Sequence, residues 1–120
     1  MKPTLAEAIA EFSPVDGMWL PLETLLEEAF SSSDPKAYYT AIFNLFERFP
    51  NEDGAGVFWS ALHGMEAVGE YETDLLRHFR RCPSEMTKVM LVRIRNSGQK
   101  EIQGVSIDSL IGSIEDASAR

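Results

Sequence analysis

The sequence predicts an all-α fold of about seven helices. Three observations predict it. Apolar residues recur at helical spacing in one segment after another. Short polar stretches rich in proline, glycine, serine and aspartate separate those segments. No stretch sustains the alternation of a half-buried strand; Lys100 to Ile107 comes closest and reads as a loop.

The first helix is expected over Thr4 to Phe12, with Leu5, Ile9 and Phe12 on one face. Ser13-Pro14-Val15-Asp16-Gly17 breaks it. The second runs from Pro21 to Phe30, with proline suited to its first turn. Leu22, Leu25, Leu26, Ala29 and Phe30 form its stripe, opposite Glu23, Glu27 and Glu28. After Ser31-Ser32-Ser33, Asp34 is placed to cap a third helix, Pro35 to Phe49. That helix carries two stripes: Tyr38, Ile42, Leu45 and Phe49, then Tyr39, Phe43 and Phe46. A helix apolar on two sides is buried on two sides, so it should be central.

Pro50 to Gly54 is a polar turn. A fourth helix is expected from Ala55 to Val68, with Phe58, Ala61, Leu62 and Met65 inward and Gly69 ending it. A fifth runs from Tyr71 to Arg81 with Leu75, Leu76 and Phe79 apolar. Pro83 restarts the chain, with Ser84 and Glu85 in the first turn of a sixth helix. Met90, Leu91 and Ile94 point inward, and the helix ends near Asn96-Ser97-Gly98. Ser106 is placed to cap a last helix, Ile107 to Ala117, with Ile107, Leu110, Ile111 and Ile114 as its stripe. Short turns make antiparallel pairs, and stacked pairs make a short α-solenoid-like, HEAT-like array. At 120 residues, one helical domain over 1–120 is expected.

Composition narrows the function. Apolar residues are 44% of the chain, enough for a core. No apolar run approaches the ~20 residues of a membrane span. The N-terminal residues, with Glu7 and Glu11, lack a leader's apolar stretch, and the single Cys82 cannot pair within the chain. A cytoplasmic location is expected. The net charge is −8, and residues 1–53 hold ten acids and three bases, a net −7. That sign argues against direct nucleic-acid binding and favours a basic partner. Residues 77–100 are the exception: seven bases stand against Glu85 alone. Arg77, Arg80 and Arg81 share one helix face there, set either to meet phosphate or to pair with the acidic half.

A catalytic centre is not expected. His78 and Cys82 are four apart on one helix, a spacing that suits a thiolate and its base, but no third orienting group is evident. With His63 remote, they also fall short of a closed zinc site. Asp53-Gly54-Ala55-Gly56 lacks the Lys-Ser/Thr of a phosphate loop. Adjacent acids such as Glu27-Glu28 and Glu52-Asp53 are solvated charge unless two environments differ. No cofactor or metal is expected. Partner binding is the remaining clue. Trp19 and Tyr71 sit at helix starts and are residue types enriched in binding anchors. The acidic turns at Glu52 and Asp53, and at Glu66, Glu70, Glu72 and Asp74, lie between helices, where a binding rim would form.

One pattern goes further. It reads Trp59-x-x-Leu62-His63-x-x-Glu66, then Tyr71-Glu72-x-x-Leu75-Leu76-x-x-Phe79-x-Arg81-x-Pro83-Ser84-Glu85. It continues as Met90-Leu91-x-Arg93-Ile94-x-Asn96-Ser97-Gly98. Over about residues 57–115 this resembles the small all-helical immunity proteins of bacterial polymorphic-toxin systems, including contact-dependent inhibition, Rhs and type VI effectors. Most of the matching positions are packing and capping residues. The resemblance implies a cytoplasmic antidote that binds one cognate toxin domain, blocks its active site or substrate access, and performs no chemistry. Many such toxins are nucleases with basic grooves, which an acidic surface can occupy. The charge and turn placement, not the motif, nominate Trp19, Glu52, Asp53, Glu66, Glu70, Tyr71, Glu72 and Asp74 as contacts. Two other readings stand beside it: a helical adaptor or scaffold with a non-toxin partner, and a small enzyme or regulator using the arginine face.

Overall fold

The computed structural model describes residues 4–118, with side chains through Ser113. Thr4 opens the chain with a reciprocal cap. Its hydroxyl accepts from the Glu7 N–H at 3.1 Å, and the Glu7 carboxylate accepts from the Thr4 N–H at 3.2 Å. Helix α1 (Leu5–Ala10) follows, ending two residues earlier than expected. Pro14 disfavours helix in the residue before it, and the Arg48 guanidinium collects the freed carbonyls of Ala10 and Phe12 at 2.8 and 2.7 Å.

Helix α2 (Leu20–Phe30) buries Leu22, Leu26 and Ala29 and leaves Glu27 and Glu28 exposed. Next comes a 3₁₀ turn, Pro35–Tyr38, and then α3 (Tyr39–Arg48). The expected continuous helix is thus split, and the Asp34 side chain makes no cap bond. The Asp34 backbone carbonyl accepts from the Ala37 N–H instead, which is the tighter i to i+3 closure of a 3₁₀ turn.

Helix α3 is central, as its two stripes predict. Tyr39, Ile42, Phe43, Leu45 and Phe46 are all buried, and α3 packs against α1 and three later helices. Those are α4 (Val57–Val68), α5 (Glu72–Arg81) and α6 (Glu85–Asn96). Contacts α1–α3 and α3–α5 form one layer, and α2–α4 and α4–α6 form the other. Stacked helical pairs share this alternation, and the contacts go no further toward a solenoid. The molecule is a compact globule of 43 × 33 × 23 Å.

Helix α4 starts two residues later than expected. Gly54, Ala55 and Gly56 all have positive φ (61°, 53° and 91°), which a right-handed helix cannot contain. Gly54 is also required by space, since a Cβ there would stand 2.8 Å from Phe58 Cδ1. Gly69 ends α4 at φ 88°. Ser84 precedes α6 rather than joining its first turn. Its hydroxyl accepts from the Thr87 N–H at 3.2 Å, and Thr87 Oγ1 accepts from the Ser84 N–H at 3.0 Å. The Glu85 N–H donates to Pro50 O at 2.7 Å, tying the start of α6 to the α3–α4 turn.

The segment expected as a loop is a small hairpin, β1 (Glu101–Ile102) antiparallel to β2 (Val105–Ser106). Gln103 and Gly104 turn it with φ of 50° and 77°, the positive pair of a tight two-residue turn. Helix α7 (Ile107–Ser118) packs on α6, and its Ser109 N–H donates to the Ser106 hydroxyl, the expected cap. Ile107, Leu110 and Ile111 are buried; Ile114 lies outside the residues whose side chains are described.

Candidate functional site

The expected contact residues divide between the two ends of α4. Glu52, Asp53 and Trp19 lie at its N-terminal end, and Glu66, Glu70, Tyr71, Glu72 and Asp74 at its C-terminal end. Twelve residues of helix separate them by about 18 Å. They do not form the single rim expected from the sequence, because the turns before and after one helix face opposite ways.

At the C-terminal end, Glu66, Glu70, Tyr71 and Glu72 surround a hollow of about 320 Å³, with Arg93 across from them. The positive φ of Gly69 and Glu70 (88° and 57°) turns the chain sharply there. Every acid of this group is bonded within the chain. Arg93 holds Glu66 through two parallel bonds of 2.9 Å, Lys36 holds Glu70 at 2.6 Å, and Arg77 holds Asp74 at 2.6 Å. Glu72 accepts from Gln99 Nε2 at 2.6 Å. The Lys36 bond and charge hold the Glu70 carboxyl below its usual range. Burial, then the charges of Glu66 and Glu72, push the Tyr71 phenol up. Beneath the hollow, the Tyr39 hydroxyl donates to Gly69 O at 2.6 Å. Burial, helped by Glu70, Tyr71 and Asp74, pushes its pKa up to about 12.

At the N-terminal end, Trp19 points inward. Its ring meets Phe12, Phe49 and Phe58 at centroid distances of 5.9, 5.1 and 5.3 Å. Trp19, nominated from the sequence as a contact, is half-buried in this packing. Its neighbours Met18 and Leu20 point out instead, at 59% and 69% exposure, with Val15 at 73%. Val15 and Met18 bridge across Asp16 and Gly17, whose φ of 53° and 74° close a two-residue turn. Asp16-Gly17, expected only to break the first helix, is also a strong hairpin signal. Glu52 and Asp53 are exposed beside this turn, with Trp19 within reach of Gly54.

The basic segment pairs internally at several points. Besides the Arg77 and Arg93 pairs, Arg95 meets Asp108 at 2.9 Å, and Arg81 meets Glu47 at 2.8 Å. Arg77, Arg80 and Arg81 line a groove of about 510 Å³ over Leu76. Glu47, a residue that no motif singles out, is the centre of a partly buried cluster. It bonds His78 Nδ1 at 2.7 Å, and His78 is 1% exposed and stacked on Phe43. His78 Nε2 is buried without a partner among the described residues. Burial pushes the Glu47 carboxyl up, but bonds and charges from Arg81 and His78 outweigh it and hold it below the usual range. Cys82 Sγ lies 4.0 Å from Glu47 O, and the His78 imidazole bonds the Glu47 carboxylate. Spacing alone shows partners on one helix; it cannot show a carboxylate arriving from α3.

Among the described residues, no group of three His, Cys, Asp or Glu side chains could hold a metal ion, and no helix is long and apolar enough to cross a membrane. The chain matches no family model, no curated protein and no solved structure.

Proposed function

We propose that this chain is an immunity protein, which binds a cognate bacterial toxin domain and neutralises it by covering its active site or blocking substrate access. The observation that carries the reading is the placement of acid. Residues 1–53 bear −7 of the net −8, and Glu11, Asp16, Glu27, Glu28, Glu52 and Asp53 are exposed. Such a surface is attracted to a basic one and speeds encounter with it. A nuclease toxin offers that surface in its phosphate-binding groove. In this reading the chain acts in the cytoplasm by binding alone. It needs no cofactor and touches neither nucleic acid nor membrane. The residue 57–115 pattern described above supports the same reading.

The test is retrieval of partners by the tagged full chain at moderate salt, with mass spectrometry of what remains bound. A toxin domain recovered at one-to-one stoichiometry, and cells protected from it by this chain, is the expected result. A partner without toxicity, or a toxin that still kills cells expressing the chain, would overturn the reading in favour of a helical adaptor.

A further inference from the structure

We propose that the turn Val15–Leu20, with Glu52 and Asp53 beside it, is the surface that docks on a protein partner presenting an apolar hollow ringed by lysine or arginine. This rests on the binding role proposed above and locates it.

Among the described residues, the exposed large hydrophobic side chains are Val15, Met18 and Leu20. Single exposed apolar residues are ordinary, but three within six positions form a patch, and patches mark interaction surfaces. This one is held out by a rigid support. The Met18 N–H donates to Val15 O at 3.0 Å, closing the turn. Trp19 anchors it among Phe12, Phe49 and Phe58. Arg48 fixes the preceding segment through Ala10 O, Phe12 O and Ser13 Oγ. A surface ordered before binding loses little entropy on binding.

Charge selects the occupant. Residues 4–35 hold seven acids and no lysine, arginine or histidine. Leu20, Glu23, Thr24 and Glu27 fall on one face of α2 at helical spacing, so the apolar residue opens onto an acidic stripe. Glu11, Asp16, Glu52 and Asp53 have no ion pair among the described residues, unlike the acids of the opposite end. Among the described residues, Arg48 reaches this region, and carbonyl oxygens already engage it. A second copy docked through the same surface would oppose acid to acid, and an anionic lipid surface would be repelled. A basic ring around an apolar hollow satisfies both the patch and its border.

The experiment uses the full chain and the protein it retains at one-to-one stoichiometry. Met18→Ser with Leu20→Ser should weaken binding about a hundredfold, as expected for two buried apolar anchors. Asp53→Asn should weaken it less and flatten its salt dependence. Glu101→Gln, an exposed acid on β1, should leave it unchanged. Both serine substitutions are at exposed positions, so an unchanged melting curve confirms the fold. Wild-type affinity in the double variant overturns the proposal, as does a wild-type chain that retains no protein the variant loses. A wild-type dimer that the double variant abolishes also overturns it, in favour of self-association. A toxin bound through another surface refutes this docking site and leaves the immunity reading standing. A non-toxic basic partner that depends on Met18 and Leu20 does the reverse.

Discussion

Removing the Glu47 carboxylate should expose how far one buried imidazole depends on it. His78 is 1% exposed, and its Nδ1 meets Glu47 at 2.7 Å and, less closely, Arg81 Nη2 at 3.2 Å; Nε2 has no partner among the described residues. Glu47→Ala removes the 2.7 Å bond to Nδ1, leaving it only the weaker 3.2 Å contact with Arg81 Nη2, while Nε2 stays buried without a partner among the described residues. An orphaned buried donor costs roughly 1–3 kcal/mol. Arg81 also loses its partner, but its side chain is 58% exposed, so water replaces the bond at little cost. The variant should lose about 2 kcal/mol of stability, a shift of the urea midpoint by about 1 M at an m-value near 2 kcal/mol per M. His78→Phe tests the cause. It keeps the stack on Phe43, at 5.1 Å and 15°, and removes both nitrogens. In the Glu47→Ala background it should recover most of the loss, a coupling of at least about 1 kcal/mol. Equilibrium urea unfolding of the four proteins measures it. A Glu47→Ala cost below about 0.5 kcal/mol, or no recovery with His78→Phe, would refute the reasoning.

The same carboxylate sets a pH dependence. The folded state holds the Glu47 pKa below its usual value, so the ionised form stabilises the fold. That contribution is complete above the ordinary carboxylate value of about 4.3 and is lost as pH falls through the lower folded value. Glu47→Gln should therefore flatten the acid limb of the stability curve.

Three further outcomes follow from the packing. Tyr39→Phe removes the 2.6 Å bond to Gly69 O and should cost about 1 kcal/mol in urea unfolding. Because the folded pKa of Tyr39 is raised to about 12, its contribution is complete below the ordinary phenol value of about 10 and is lost as pH rises through about 12, which an absorbance titration follows. Gly64→Ala would place a Cβ 2.5 Å from the Phe30 ring where α2 meets α4. Overpacking of roughly 1–3 kcal/mol exceeds the gain of about 1 kcal/mol in helix propensity, so the melting temperature should fall, and adding Phe30→Ala should harm less than the two changes summed. Gln103→Asn suits the φ of 50° at the β1–β2 turn and should raise stability by about 0.5 kcal/mol, read from the same unfolding curves.

Much of the fold was legible because it rests on local periodicity. The double stripe of Tyr39, Ile42, Phe43, Leu45 and Phe46 foretold a central helix, and all five are buried. The boundaries were less legible where backbone conformation decides them. Ala55 reads as a helix former, yet its φ of 53° between two glycines places it outside α4. Gln103 hides a turn because glutamine is not a usual residue at positive φ, so only Gly104 signals the hairpin. Two signals were present and could have been read: Thr4 with Glu7 as a capping box, and Asp16-Gly17 as a tight turn. The candidate site was half legible. Glu66, Glu70, Tyr71 and Glu72 do converge on one hollow. That the three carboxylates are met by Arg93, Lys36 and Gln99 depends on residues 27, 34 and 27 positions away, which no local pattern reveals.

The two ends of α4 therefore put similar acids to opposite uses. At the C-terminal end, a partner's cation would have to compete with a guanidinium already bonded twice to Glu66 and an ammonium 2.6 Å from Glu70. Exchanging one such pair for another yields little net free energy, because each is already partly desolvated and oriented. Glu66 ties α4 to α6 through Arg93, and Glu70 ties the turn after α4 to the 3₁₀ turn through Lys36. At the N-terminal end, Asp16, Glu52 and Asp53 are exposed and have no ion pair among the described residues, so an incoming cation displaces only water and counterions. The uncovered apolar area lies at that end too, in Val15, Met18 and Leu20. Burying apolar surface supplies affinity, while the charge border supplies encounter rate and selection. Among the described residues, both ingredients coincide where Trp19 turns inward and sends its two neighbours out.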